Sequence, residues 1–292
     1  MNNDRVKLIR LTDYLSVFYN EWLIDPQRTD YNVISDTTIY GEVDVERFKE
    51  CTLKHVNNTF AFLVNVINKD NILYWKFRKP EECVVEYFPH KLTDEEIYSL
   101  VAKPFDLEND LLARHVLIKE GEKQYRILFI YSHLIADGIS TEELFTKWSA
   151  YYNGEKVDEL PLDVQMEKAQ ALTEYFDQLM SVNKQGMEAF WKEHLNGISG
   201  VNLSFLKRLT PKEKSKHRYV SEYMFSYDSD ILSKVKSLRS YKITPYIYGQ
   251  MVLGILLYKI TKQNAIGIPY PIALLEGKDL FYGAHVNTCI ID

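Results

Sequence analysis

The run Gln124-Tyr125-Arg126-Ile127-Leu128-Phe129-Ile130-Tyr131 flows directly into Ser132-His133-Leu134-Ile135-Ala136-Asp137-Gly138-Ile139-Ser140, and its reading decides how the rest of the chain is arranged. From Gln124 to Tyr131 most side chains are apolar, the pattern of a strand buried on both faces. Beyond it lies a helix start: Ser140 reads as N-cap, with Glu143 three residues on to close a capping box. Leu144, Trp148 and Tyr151 follow at helical spacing until Asn153-Gly154 stops the helix. His133 and Asp137 therefore fall on a strand-to-helix connection, where a side chain can be both exposed and firmly held.

An imidazole can accept a proton from an attacking amine, hydroxyl or thiol, or donate a hydrogen bond to an oxyanion. An Asp four residues later can turn away from such a site, pair with a cation or backbone N–H groups, and fix the loop. Gly138 reads as the residue that permits a positive φ or a close approach. On spacing alone two readings stand: a reactive histidine, or a structural loop histidine beside a helix N-terminus.

Working outward, 292 residues with 46% hydrophobic and 26% charged composition suffice for two lobes, each with its own core. The net charge of -6, with lysines and arginines scattered among acids, argues against nucleic acid as a partner. Cys51, Cys83 and Cys289 are odd in number and lack metal-ligand spacing, so no metal site and a reducing cytoplasm are expected. There is no signal-peptide pattern, and the most apolar stretch, Ile247 to Ile260, is too short to span a bilayer, so no membrane association is expected.

Upstream, Leu8, Leu11, Leu15, Phe18, Tyr19 and Trp22 form a helix-like stripe around the Thr12-Asp13 start signal, a core face on which Tyr19 and Trp22 could also line a cavity. A strand is expected from Tyr31 to Tyr40, and a helix from the cap Asp44 through Val56, with His55 half-buried and structural. Strands over Phe60–Val66 and Ile72–Phe77 flank the turn Asn68-Lys69-Asp70-Asn71, and Thr93-Asp94-Glu95-Glu96 caps a helix ending before Pro104. Leu111–Lys119 and Gln124–Tyr131 form a hairpin about Glu120-Gly121-Glu122-Lys123, which delivers the backbone to His133.

Downstream, the Pro161 region reads as a boundary, giving lobes over 1–162 and 163–292. Helices are expected over Val164–Met180, Gly186–Leu195 and Ile231–Tyr241, with a charged linker over Lys207–His217 and strands over Tyr219–Tyr227 and Ala265–Ile272. Thr244-Pro245 opens the most apolar helix of the chain. The order implies α/β layers, an α+β arrangement with mixed sheets.

Five segments in this order resemble the condensation domains of nonribosomal peptide synthetases, within the chloramphenicol-acetyltransferase-like acyltransferases. Ser132-His133-Leu134-Ile135-Ala136-Asp137-Gly138-Ile139-Ser140 is similar to the family's His-His-x-x-x-Asp-Gly-x-Ser, and Pro104-Phe105-Asp106-Leu107 to its Pro-Phe-Asp-Leu. Phe190-Trp191-Lys192 resembles its Tyr-Trp helix, Ile243-Thr244-Pro245 another family segment, and Tyr282-Gly283-Ala284-His285-Val286-Asn287-Thr288 its Gly-x-Phe-Val-Asn-Thr. The resemblance implies a two-lobed fold with a tunnel in which an acceptor amine attacks a donor thioester. Both substrates would ride on phosphopantetheine arms of donor and acceptor carrier domains, beside adenylation domains, with no cofactor bound directly. His133 would be general base or orienting group, Gly138 would present its backbone N–H, and Asp137 would hold the loop through a salt bridge. Tyr19, Trp22 and Asn287 complete the expected substrate-facing set.

Departures from the family pattern carry their own expectations. Ser132 replaces the first His, with a hydroxyl hydrogen bond in its place. Lys54-His55-Val56-Asn57-Asn58-Thr59 only vaguely echoes Arg-His-Glu-x-Leu-Arg-Thr, so the cation for Asp137 must come from elsewhere, with Arg114 as the candidate. The chain stops where the family continues, so the second lobe is expected to be incomplete and the chain a fragment of a longer synthetase. The motif's closeness to Met1 suggests a starter domain or a module receiving its donor from another protein. Epimerisation of a carrier-bound residue, a free-standing acyltransferase using acyl-coenzyme A, and a degenerate partner-recruiting domain are the other readings.

Overall fold

A computed structural model describes residues 8–79, 84–205, 226, 228–274 and 284–291, with the side chains of Asn287 and Ile291 excepted. By their contacts these fall into two compact units, one over 1–182 and 273–287 and the other over 183–272 and 288–292. Cys83, the linker Lys207–His217, the expected strand Tyr219–Tyr227 apart from Ser226, and the motif residues Tyr282 and Gly283 lie outside the described residues.

The hairpin expected about Glu120–Lys123 forms from β6 (Ala113–Gly121) and β7 (Gln124–Ser132). β2 (Asn32–Tyr40) pairs with the other edge of β7, from Asn32 opposite Ser132 to Tyr40 opposite Gln124. β5 (Val85–Phe88) adds parallel to β6, giving the order β2-β7-β6-β5. This mixed sheet, central in the first unit, buries Leu128, Phe129 and Ile130 completely on β7, as an apolar run paired on both edges should be.

A second sheet has the order β1-β4-β3, from β1 (Leu8–Arg10), β3 (Val64–Lys69) and β4 (Ile72–Phe77). The β3–β4 turn places Asp70 and Asn71 at φ 54° and 63°, the left-handed conformation of a tight hairpin that short polar side chains tolerate best after glycine. The expected strand from Phe60 is shorter, because Phe60–Leu63 winds as a 3-10 turn before β3. Likewise the first apolar stripe divides: Leu8 is on β1, Asp13–Leu15 is a 3-10 turn, and α1 covers Ser16–Ile24.

Helices α2 (Val45–Asn57) and α4 (Gly138–Asn153) close over the central sheet. Phe48 of α2 and Trp148 of α4 lie 4.9 Å apart, Trp148 stands 5.2 Å from Phe129, and the Trp148 indole donates to Thr52 Oγ1 at 2.8 Å. α3 (Asp94–Val101) carries the expected Thr93–Glu96 capping box. His55 is fully rather than half buried, at 1% exposure, and both ring nitrogens lack partners among the described residues. α5 (Leu162–Val182) packs with this unit: Gln165 accepts from Phe60 N–H at 2.9 Å, and Thr173 Oγ1 donates to Arg10 O at 3.0 Å. The unit boundary thus follows α5, past the Pro161 region.

The second unit holds α6 (Lys184–His194), α7 (Ser229–Ser237) and α8 (Pro245–Thr261). β8 (Ile268–Ala273) pairs with β9 (Val286–Ile291) in a two-stranded sheet. Thr244 caps α8 by accepting from Ile247 N–H, with Pro245 at its first position, as the sequence predicts. Among the described residues, no helix is long and apolar enough to cross a membrane.

Candidate active site

β7 ends at Ser132 and α4 begins at Gly138, so residues 133–137 are the connection. The N-cap is Asp137 rather than Ser140. Asp137 Oδ1 accepts from Ser140 N–H at 2.8 Å while Ser140 Oγ accepts from Asp137 N–H at 2.7 Å, a reciprocal capping box. Ser140 sits at the third helical position, and the cap lies three residues before the expected one because the Asp137–Ser140 pair satisfies the first-turn donors. Gly138 is the first residue of α4 and has no positive φ, so it does not serve as a turn glycine; a Cβ there would meet nothing within 4 Å.

The other carboxylate oxygen, Asp137 Oδ2, accepts from the backbone N–H of His285 at 2.8 Å. Among the described residues Asp137 forms no ion pair. Arg114, the expected partner, instead donates to the carbonyls of Lys103 and Pro104 at 2.6 Å, lies 3.6 Å from Asp110 and stacks its guanidinium over Phe105. A backbone donor replaces the cation because Asp137, 8% exposed, needs only hydrogen bonds to its buried oxygens.

His133 is half-buried. Its backbone N–H donates to Tyr31 O at 2.8 Å, which extends the β2–β7 pairing by one step. Its ring stacks on Phe18 of α1 with centroids 5.1 Å apart and 26° between planes, and the edge of Tyr31 faces it at 6.3 Å. Nδ1 is buried without a partner among the described residues, while the residue as a whole is half-buried. Phe18 and Tyr31 are the residues that the sequence reading missed: Phe18 belonged to the apolar stripe of α1, and the strand pairing brings Tyr31 beside His133.

Ser132 is 4% exposed; its hydroxyl accepts from Leu134 N–H at 3.4 Å, and it lines a small cavity with Phe18, Trp22, Arg28, Tyr31 and Phe105. Trp22 therefore borders the His133 surroundings. Tyr19 does not: it is 2% exposed in the core, with its hydroxyl donating to Glu108 at 2.6 Å. Asn287 lies on β9.

The first-turn amides of Gly138 and Ile139 have no acceptor among the described residues, since Asp137 takes Ser140 N–H on its side chain and Thr141 N–H on its carbonyl. The N-terminus of this 16-residue helix favours negative charge. A fixed imidazole and free amides on one short connection are the elements that acyl transfer requires: a proton acceptor and donors for a developing oxyanion.

Fold and site thus define an α/β protein in which a half-buried histidine sits on the connection from a central strand to a helix N-terminus. Residues 19–288 match the family described as Condensation domain, and the chain belongs to that family. It is 25% identical over 264 residues to bacitracin synthase 2 of Bacillus licheniformis, covering 88% of this chain and 10% of that protein. To surfactin synthase subunit 1 of Bacillus subtilis (strain 168) it is 30% identical over 176 residues, or 60% of this chain and 5% of that one. The chain therefore spans a tenth or less of the length of these curated relatives. Among solved structures, the first condensation domain of the calcium-dependent antibiotic synthetase, in complex with a substrate analogue, superposes with a TM-score of 0.72 at 14% identity, over 97% of this chain and 68% of that chain. A starter condensation domain of the rhizomide synthetase, in complex with C8-CoA, gives 0.71 at 17% identity, over 97% and 66%.

Proposed function

We propose that the chain catalyses amide-bond formation between a donor acyl or peptidyl thioester and the amine of an acceptor aminoacyl thioester, each carried on a phosphopantetheine arm of a carrier domain. The acceptor nitrogen attacks the donor carbonyl carbon, and the resulting oxyanion accepts from the Gly138 N–H. The nitrogen's proton passes to His133 Nε2, the C–S bond breaks, and the proton leaves with the donor arm's sulfur as a thiol. Because an α-ammonium with pKa near 8 is already partly deprotonated at neutral pH, His133 has as much to do in orienting the amine as in removing its proton.

The observation that carries this reading is the half-buried imidazole of His133, held by its stack on Phe18, on the same short connection as the unpaired amides that open α4. Membership of the condensation family supports it, and the free thiols of Cys51 and Cys289 suit a reducing cytoplasm. The test supplies a loaded acceptor carrier with either a loaded donor carrier or the matching free acyl-coenzyme A. Elongated product on the acceptor from the donor carrier supports condensation between carriers. Product from acyl-coenzyme A alone assigns a starter or free-standing transfer instead, and product from neither removes the catalytic reading.

A further inference from the structure

His285 is distant in sequence from the His133 connection yet packed into it. Ala284 is fully buried and His285 is 5% exposed; the His285 carbonyl accepts from Leu274 N–H at 2.8 Å and its N–H donates to Asp137 Oδ2 at 2.8 Å. Its side chain is engaged separately, with Nδ1 lying 3.2 Å from the Tyr14 hydroxyl. The two contacts reach opposite flanks of one site. Asp137 closes the connection four residues after His133. Tyr14 lies in the 3-10 turn that runs straight into α1, where Phe18, four residues on, stacks on the His133 ring.

We propose that the His285 imidazole is a positioning residue for His133: it ties the Tyr14 turn, and through it Phe18, to the Asp137 side of the connection, so that both elements flanking the reactive ring keep one spacing. The inference rests on the condensation reading of the same site. Burial pushes the Tyr14 phenol up to about 12, against a lowering by Thr12 and with the Asp137 charge adding to the rise, so the phenol keeps its proton and can donate to Nδ1 in the tautomer that leaves this nitrogen unprotonated. The brace has slack to hold against, because a small cavity lined by Thr12, Tyr14, Leu134, Ile135, Thr173 and His285 adjoins both the turn and the connection. A phenylalanine, which the motif resembled here carries at this position, fills the space but offers Tyr14 no acceptor. The enclosed hydroxyl then has to find another partner, and the turn moves with it.

The test uses the full chain and the variants His285→Phe, His285→Asn, Tyr14→Phe and the Tyr14→Phe/His285→Phe double substitution. With loaded carriers, His285→Phe and Tyr14→Phe each lower kcat about tenfold with KM for the carriers within about twofold of the original. His285→Asn, which keeps an acceptor, stays within about threefold. The double variant falls no further than His285→Phe alone, because that substitution has already removed the contact that Tyr14→Phe would break. Full kcat in His285→Phe, or a double variant that loses the product of the two single effects, overturns the proposal. A second readout is independent of turnover: the rate of carbethoxylation of His133 by diethyl pyrocarbonate, followed by peptide mass spectrometry. A change of about threefold or more in His285→Phe, reversed in His285→Asn, is expected. An unchanged rate overturns the brace even if the chain proves inactive, whereas a changed rate without condensation in the original chain would sink only the reading of the reaction.

Discussion

Replacing Asp137 by alanine should destabilise the first unit by about 3 kcal/mol, and the sum follows from its contacts. The side chain caps α4 through Ser140 N–H, and losing such a cap costs about 1 kcal/mol. Its second oxygen takes the His285 N–H at 2.8 Å, with Asp137 only 8% exposed, so alanine leaves a buried donor unpaired at about 1–3 kcal/mol. Asp137→Asn separates the two: its carbonyl oxygen keeps the cap, but its NH2 faces the His285 N–H, so about 2 kcal/mol is lost. Urea unfolding at pH 7, followed by fluorescence in a Trp191→Phe background that leaves Trp22, Trp75 and Trp148, all in the first unit, reads this unit. A loss below about 1 kcal/mol for Asp137→Ala, or no gap between the alanine and asparagine variants, would refute the reasoning that hydrogen bonds rather than a cation hold this carboxylate.

Stability should also fall in acid through His55 and His115. Burial holds His115 down to about 3 and, with the Lys147 charge, holds His55 well below its ordinary 6.5. Above that value both states are neutral and neither group contributes; below it the unfolded chain binds the extra protons, so each histidine removes about 1.4 kcal/mol per pH unit. Urea midpoints at pH 7, 6 and 5 check this, and His115→Phe should halve the slope. Gly138→Ala should leave the melting temperature unchanged or raised, since the Cβ meets nothing within 4 Å and alanine favours a helix by up to about 1 kcal/mol. Its kcat should nevertheless fall about tenfold or more, as the methyl group enters the space beside the free amides, a split that thermal melts and turnover measured on one preparation reveal.

Much of the fold was legible because its signals are local. The β6–β7 apolar runs, the Thr93–Glu96 box, the Asp44 cap and the Thr244-Pro245 start each act within a few residues, and each appears as expected. The 3-10 turns and β5 were not legible: a four-residue strand that pairs in parallel with β6 owes its state to that neighbour, not to its own pattern. At the site, His133 and Asp137 were visible through spacing and resemblance, but their partners were not. Tyr31 reaches His133 through the continued pairing of β2 with β7 and Phe18 by a stack from α1, more than a hundred residues earlier in the chain, and the donor to Asp137 is a backbone N–H 148 residues away, which no side-chain pattern announces. The Ser140 cap failed for the opposite reason, since Asp137-Gly-Ile-Ser140 and Ser140-x-x-Glu143 are both legitimate capping patterns and only the helix start chooses between them.

The central claim is that the His133 ring makes the bond, and a single-turnover reaction tests it most directly. A loaded donor carrier and a loaded acceptor carrier are mixed with the chain or with His133→Ala, and the acceptor is weighed intact by mass spectrometry over time. The mass of the donor acyl group should move onto the acceptor at a rate about a hundredfold or more lower in the variant, with the variant's melting temperature preserved. Transfer at the same rate in both proteins would contradict the assignment.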